Sequence, residues 1–472
     1  MKSIGTMLSI LILLSSLAAK NLKILKTVSP FNYEQIDVEI DGNRMIIPAG
    51  LGGAEIYDIS DPKNPQSIGN IELFNCRWGR TYNWDLFKDY AIGTARECGF
   101  AIYNIANPAR PQLLAFRNAN DDFDPTPGRQ GGASLEDVEV HKNTAIFAAH
   151  AAGLVFYDID PLSSPIYLGH LKTTNAWSLA IDATNDFAFV ADGDGGIKVI
   201  NIRNPKNPSQ IGSAPTSGTA RDIRIHNNYL FVAVGAAGID VFDIGSPSMP
   251  RLVDNFPTTG FTSRVAVHGD LVSLSSWDRL HVLRFQNDQL ELVGYKNTGG
   301  RLMAVGTAGG KIIYGAEWEA LRVYEYGEIN APDIDLSSRA LDFKAQIGAS
   351  ETLPLTIENN GGEPLNIPGM AFSDDDYTTP QTTLTIAPRN SKTIDITYTP
   401  TRSSAAGNVL FFTNDPDEEE LYAQLRGNNA CDVQEGDVAP GFNLPVIANG
   451  SGLVSLDELQ GRVVVLAIFA SW

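Results

Sequence analysis

The sequence predicts a mainly β protein: a seven-bladed β-propeller, then a β-sandwich, then the opening of an α/β domain that the chain does not complete. Three observations predict it. One motif returns at near-constant spacing through the first two thirds of the chain. The 43 glycines and 26 prolines supply turns for many short strands. After Asn330 the period is lost, and alternating short strands follow for about one hundred residues.

The repeat starts with "AEIYDISDPKNPQSIG" at Ala54 and returns as "FAIYNIANPARPQLLA", "LVFYDIDPLSSPIYLG", "IKVINIRNPKNPSQIG" and "IDVFDIGSPSMPRLVD". Two degenerate copies follow, "LHVLRFQNDQLELVG" and "LRVYEYGEIN". The residues closing the repeated strand are Ile59, Ile105, Ile159, Ile202, Ile244, Phe285 and Tyr326, at spacings of 46, 54, 43, 42, 41 and 41 residues. A period near 42 with four strands per unit is propeller spacing. In the five full copies proline fixes the turn before the fourth strand, because it presets φ and cannot join a central ladder. The last unit lacks a fourth strand, and the unpaired "NLKILKTVS" at 21–29 is expected to complete it, closing the ring and removing a sheet edge. The "I-x-V-x-D-I-x-x-P-x-x-P" pattern resembles the LVIVD-repeat propellers of secreted and surface proteins, which implies a fold and leaves the activity open.

The later stretches "IENNGGEPLNI", "IAPRNSKTIDITYTP" and "TNDPD…LRGN" resemble immunoglobulin-like domains of the abnormal-spindle/hydin type, which implies a spacer or adhesive module. The expected organisation is a signal peptide at 1–19, the propeller at 20–328, the immunoglobulin-like sandwich at 329–428, a linker at 429–434 and a domain fragment at 435–472.

Lys2, the apolar run 4–17 and the small residues up to Ala19 read as an export signal, too short for a bilayer span. No cysteine lies near the cleavage point, which excludes lipid attachment there. The mature protein is expected to be periplasmic, extracellular or at the cell surface, with no integral membrane segment. A net charge of −20 argues against nucleic-acid partners.

Candidate sites are few. His141, His226 and His268 share one repeat position, held elsewhere by Asp41 and Asp182, and the ring separates them; His150, His170 and His281 are isolated. All six read as turn residues, and neither a metal nor another cofactor is expected. "ADGDGGIKV" spaces Asp192 and Asp194 like the start of a calcium loop but lacks the later carboxylates and reads as a hairpin. One face of the ring gathers "NCRWGRTYNW", "NANDDFDPTPGRQGGAS" and the residues ahead of the inner strands: Arg80, Trp177, Arg221, Arg264 and Arg301. Two readings of this face stand: a channel-mouth site for an anionic or peptide ligand, or a set of ion pairs between blades. Cys76 and Cys98 fall in loops of one blade on one face and are expected to form a disulfide in an exported protein; Cys431 has no partner in its own module.

The tail from Glu435 to Trp472 resembles the opening of thioredoxin-like redoxins. Gly436, Ala439, Pro440, Phe442, Leu444 and Pro445 match their first segment. Ser455, Leu456, Leu459 and Gly461 match the helix, residues 463–466 the strand, and Phe469, Ala470 and Trp472 the stretch leading to the redox motif; Arg462 and Ile468 depart mildly. The ending on tryptophan points to the thiol–disulfide oxidoreductase branch. The resemblance implies that the gene encodes an antioxidant or oxidoreductase domain whose catalytic pair begins immediately after Trp472, so no catalytic residue is present. The alternative function is a noncatalytic secreted adhesion protein; a propeller hydrolase or lyase finds no supporting constellation.

In the redoxin pattern the next residue is the nucleophile at a helix N-terminus, where the dipole favours a thiolate. One expectation is a UGA codon for selenocysteine read as a stop; a contig end, a frameshift or a deliberate boundary are the alternatives. The genomic sequence after Trp472 is expected to read UGA, continue in frame through x-x-Cys and encode about one hundred more residues. A UAA or UAG with no such frame behind it would overturn this.

Overall fold

The structure, a computed structural model, describes residues 22–29, 34–50, 53–72, 81–96, 98–118, 134–318, 320–416, 418–428, 443–445 and 453–455. It divides into two compact units, Met1–Asn330 and Ala331–Trp472. The described residues are all-β, and none of them forms a helix long and apolar enough to cross a membrane.

In the first unit, five four-stranded antiparallel sheets precede a seven-stranded one. The fifth sheet shows how the repeat folds: Asp222–His226, Tyr229–Ala233, Ile239–Asp243 and Arg251–Phe256 pair in chain order. The two middle strands are almost wholly buried, as expected where both faces of a sheet are covered. The Asp or Asn ending each third strand makes an Asx turn. Asp243 accepts Gly245 N–H at 2.8 Å, and Asp58, Asn104, Asp158 and Asn201 accept the equivalent N–H at 2.8, 2.9, 3.1 and 3.0 Å. A bulge then interrupts the pairing with the fourth strand, at Val241/Phe242 here and at the same place in the other four-stranded sheets.

The seven-stranded sheet is two such units sharing one long strand. Gln289–Ala308 pairs through its first half with Trp277–Gln286 and through its second with Ile312–Glu317. At its far edge the N-terminal strand Leu22–Val28 pairs antiparallel with Leu321–Tyr326. Neighbouring sheets bury their faces against each other. Phe100 of the second sheet lies 4.6 Å from Phe147 and 4.8 Å from Tyr157 of the third, ring centre to ring centre. Val38, Met45 and Tyr57 of the first sheet share a core with Tyr314, Leu321 and Val323 of the last, so the sheets close into a ring.

The second unit is a sandwich. One sheet orders Ile334–Leu336, Glu351–Asn359, Ser391–Tyr398 and Tyr377–Thr378; the other orders Ala340–Phe343, Glu420–Gly427, Ala405–Phe412 and Gly369–Phe372. Glu420–Gly427 alternates exposed and buried at every residue, the signature of a strand with one face on a core. Leu355, Ile357, Ile394, Val409, Phe411, Ala423 and Leu425 fill that core. In the tail, Asn443–Pro445 pairs antiparallel with Leu453–Ser455, so Ser455 ends a strand rather than opening the expected helix; the rest of that helix and the strand at 463–466 lie outside the described residues.

The inner strands of the ring are tied by side chains at their first positions. Asp137 accepts Leu179 N–H of the next sheet at 2.9 Å, and Asp222 accepts Ser178 Oγ–H at 2.9 Å and Val265 N–H at 2.8 Å. Asp37 accepts Asn83 Nδ2–H at 3.3 Å and Arg264 Nε–H at 3.0 Å. Two residues further along, on the same strand face, Glu39, Asp85, Glu139 and Arg224 point into the middle of the ring. Burial, followed by neighbouring carboxylates, pushes Asp85 and Glu139 well above the usual range. Burial does the same to Glu39 against the pull of Arg224, and lifts Asp137 to about 6. Asp37 is held below the usual range despite its burial, chiefly by Arg264.

Unfolded carboxylates ionise near 4. Between that pH and the raised folded values, the folded ring binds more protons than the unfolded chain, so stability falls as pH rises. For Asp137 alone the cost of ionisation is on the order of 3 kcal/mol. The ring's melting temperature is therefore expected to drop between about pH 5 and pH 8, and Glu139→Gln to raise it at pH 7.5 and flatten the slope. A melting temperature that is flat with pH, or lowered by Glu139→Gln, would refute this.

Candidate functional site

The hairpin between the second and third strands of each sheet touches the loop that leads to the next inner strand. The bridging pairs are Gly50–Thr81, Arg96–Leu135, His150–Ala176, Gly193–Ala220 and Gly235–Thr262, with Trp277–Leu302 in the seven-stranded sheet. In all six the hairpin residue is left-handed, with φ of 49°, 45°, 47°, 58°, 61° and 66°. Glycine adopts this freely, whereas an L side chain costs about 1–2 kcal/mol. Arg96, His150 and Trp277 therefore stand where the backbone favours glycine.

Each of the three enters a chain of stacked groups on this face. The Arg96 guanidinium lies 3.9 Å over the Tyr82 ring, and its Nε is 3.0 Å from Glu136 Oε1, a charge contact off the hydrogen-bond line. His150 bonds through Nε2 to the same Glu136 oxygen at 2.6 Å and through Nδ1 to Asn175 Oδ1 at 3.0 Å, and packs edge-on against Trp177 at 4.3 Å. Arg221 continues the chain, 3.4 Å over Trp177 and 5.5 Å from the Phe261 ring. Where the hairpin residue is glycine, a neighbouring side chain fills the space: a Cβ on Gly235 would fall 2.9 Å from the Phe261 ring, one on Gly193 would fall 3.3 Å from Asn175 and 3.4 Å from Trp177 Nε1, and one on Gly50 would meet Glu34. Trp277, 41% exposed, belongs to a second group, in which Arg301 lies 5.3 Å from its ring and 5.4 Å from that of Trp318.

The two sequence readings of this face divide residue by residue. Arg264 is the first residue of its inner strand and is ion-paired to Asp37, so it serves the ring. Arg224 likewise pairs with Asp222 at 2.9 Å. Arg221 and Arg301, by contrast, have no carboxylate partner among the described residues. Arg221 Nε and Trp177 Nε1 also lack a hydrogen-bond partner there. Burial, then the nearby Arg264, brings the Arg221 guanidinium down to about 10, against the pull of Glu136. Arg80 and Cys76 lie outside the described residues, as does Cys431. Cys98 is disulfide-bonded.

The histidines behave differently from one another. His150 is part of the stacked face rather than isolated. His281 lies within a strand, 4% exposed, and burial lowers it to about 3, which makes it a neutral core residue rather than a turn residue. His170 bonds to Tyr167 Oη at 2.9 Å on an outer strand. His141 reaches Asp186 of the next sheet at 2.7 Å. Asp192 accepts the Thr174 and Asn175 N–H groups at 3.0 and 2.7 Å, which fixes the loop supporting Trp177. In the second unit, Asp333, Asp415 and Glu418 converge within 4.8 Å, but Asp415 accepts Ile334 N–H at 2.7 Å and Arg339 lies 3.3 Å from Glu418.

Sequence reasoning reached Tyr82 only as part of "NCRWGRTYNW" and missed Arg96, Glu136, His150, Phe261, Trp277 and Trp318. The available signal was positional: aligning the hairpins places Arg96, His150 and Trp277 opposite Gly50, Gly193 and Gly235.

Comparison with known proteins places these features in families piecewise. The LVIVD repeat model matches residues 175–216 and 217–258. The model described as "Abnormal spindle-like microcephaly-assoc'd, ASPM-SPD-2-Hydin" matches residues 336–419. No curated protein matches the chain. Among solved structures, the chain is similar to Chaetomium thermophilum Raptor (TM-score 0.53, 12% identity, 66% of this chain and 30% of that one). It is also similar to the RRP9 WD40 repeats (TM-score 0.51, 11% identity, 66% and 98%) and to U3-55K (TM-score 0.50, 11% identity, 65% and 98%). At such identities the likeness concerns fold alone: the chain carries a β-propeller with LVIVD repeats, followed by an immunoglobulin-like domain.

Proposed function

We propose that this protein is an exported partner-binding protein whose seven-bladed propeller captures a carboxylate-bearing ligand at its arginine- and tryptophan-lined face. The two halves of the seven-stranded sheet count as the sixth and seventh blades, the latter completed by Leu22–Val28. The immunoglobulin-like domain serves as a spacer or adhesive unit. By its resemblance to the redoxins, the tail is read as the start of a thiol– or selenol–disulfide oxidoreductase domain that the propeller would bring to its partners.

The observation that carries the binding reading is Arg221. Its guanidinium is stacked at 3.4 Å on Trp177, and no carboxylate among the described residues pairs with it. Stacking uses the faces of the guanidinium and leaves its in-plane N–H fork for a planar carboxylate. Other arginines of the same ring, Arg96, Arg224 and Arg264 among them, lie against carboxylates.

Titration with N-acetylglutamate at millimolar concentration, followed by NMR of the arginine Nε–H groups, tests the reading. The Arg221 resonance is expected to shift while that of Arg264 stays in place, and Arg221→Gln to abolish the response without changing the melting temperature. Arg264→Gln, which strands buried Asp37, is expected to cost about 3–5 kcal/mol of stability. An unmoved Arg221 signal, or Arg221→Gln unfolding the ring, would return Arg221 to a structural role. For the disulfide, peptide mapping of non-reduced exported protein is expected to recover Cys76 joined to Cys98; a free thiol at Cys76 would exclude that pairing.

A further inference from the structure

Arg301 repeats the chemistry of Arg221 with different parts. It stands one residue before the bridge residue Leu302, whereas Arg221 stands one residue after the equivalent Ala220, so the two arginines reach the hairpins of this face from different repeat positions. Trp277 and Trp318 flank it at 5.3 and 5.4 Å, and no carboxylate among the described residues neutralises it. The backbone holds it against Trp318, whose N–H bonds to the Arg301 carbonyl at 3.0 Å.

Trp277 is the second observation. It is 41% exposed and left-handed at φ 66°, where three of the five equivalent hairpins in the preceding sheets use glycine. A bulky aromatic residue at positive φ is a backbone outlier, and such outliers collect at ligand sites. Burial does not account for it, because so much of the ring stays in water. Its described partner across the face is the Arg301 guanidinium.

We propose that Arg301, flanked by Trp277 and Trp318, is a second carboxylate subsite, and that this face takes an acidic peptide engaging Arg221 and Arg301 together. The inference rests on the carboxylate reading of Arg221 and adds the ligand class: a chain with at least two spaced acidic side chains. Two weak subsites joined through one chain gain affinity by effective concentration, without any new contact. The protein's net charge of −20 opposes an acidic ligand at long range. At physiological ionic strength that repulsion is screened beyond about 8 Å, so the local guanidiniums decide the contact.

The test compares N-acetyl-hexaglutamate amide with N-acetylglutamate amide by calorimetry on the full chain, with Arg221→Gln, Arg301→Gln and Trp277→Gly. Hexaglutamate is expected to bind at least about tenfold tighter than the single residue. Each arginine variant is expected to remove most of that advantage. Trp277→Gly relieves a left-handed side chain and is expected to keep the melting temperature while weakening hexaglutamate. If Arg301→Gln changes hexaglutamate affinity less than twofold while Arg221→Gln abolishes it, the second subsite is wrong and the Arg221 reading stands. If neither arginine matters, both fail. Inorganic phosphate displacing hexaglutamate at equal concentration, or a thymidine hexanucleotide binding more tightly than hexaglutamate, would overturn the carboxylate class.

Discussion

The ring depends on one constraint: the inner strands must satisfy backbone and side-chain donors of the next sheet across a gap that no ladder spans. Asp137 and Asp222 do this by accepting Leu179 and Val265 N–H, and Asp85 does it for Val140 at 2.6 Å. A buried N–H left without an acceptor costs about 1–3 kcal/mol, and a carboxyl oxygen accepts that bond whether or not the group is ionised. The consequence is a concentration of carboxyl groups in the middle of the ring. Glu39, Asp85 and Glu139 add to it, and Arg224 and Arg264 offset part of it. The raised carboxylates, the buried ion pairs and the pH sensitivity thus share a single origin.

That origin also explains why the arginines on one face differ in role. A guanidinium that reaches the carboxylate belt is consumed by it, as Arg264 is by Asp37. A residue one position earlier, such as Arg221, sits at the mouth, above the belt, and finds an aromatic ring instead. Tyr82, Glu136 and Trp177 hold the corresponding place ahead of the second, third and fourth inner strands. The repeat therefore generates two layers from adjacent positions: an inner layer that holds the ring together and an outer layer whose composition varies from sheet to sheet. Glu136 ties two members of the outer layer together by meeting both Arg96 and His150.

The fold was largely legible, because its determinants recur. The Asp or Asn at the end of each third strand and the prolines beyond it specify a turn locally, and repetition makes the pattern hard to mistake. The long strand Gln289–Ala308 was not legible: its unit has lost the proline-rich turn, and Thr298, Gly299 and Gly300 give no sign that one strand will serve two neighbours. The outer layer was only partly legible. Trp177 and Arg221 stand out by residue type and place, but Arg96, His150 and Trp277 carry meaning only relative to the glycines they replace. His281 looked like His150 in sequence, yet one lies in the core and the other on the stacked face. Their difference is one of place, a hairpin residue against a strand interior, which a lone histidine does not encode.

Left-handed positions are where this fold has freedom to vary its mouth. A glycine there leaves room for a side chain from a neighbouring segment, as Phe261 over Gly235 and Glu34 over Gly50 show; a side chain there projects its own chemistry at the cost of backbone strain. Both solutions bring aromatic and charged groups to the same face, one by subtraction and one by addition. The strain is tolerated because the bridge to the neighbouring loop, such as His150 to Ala176, fixes the backbone from both sides. Variation at such positions leaves the sheets and the carboxylate belt untouched. A propeller built this way can change what it presents at the mouth while keeping the interactions that close its ring.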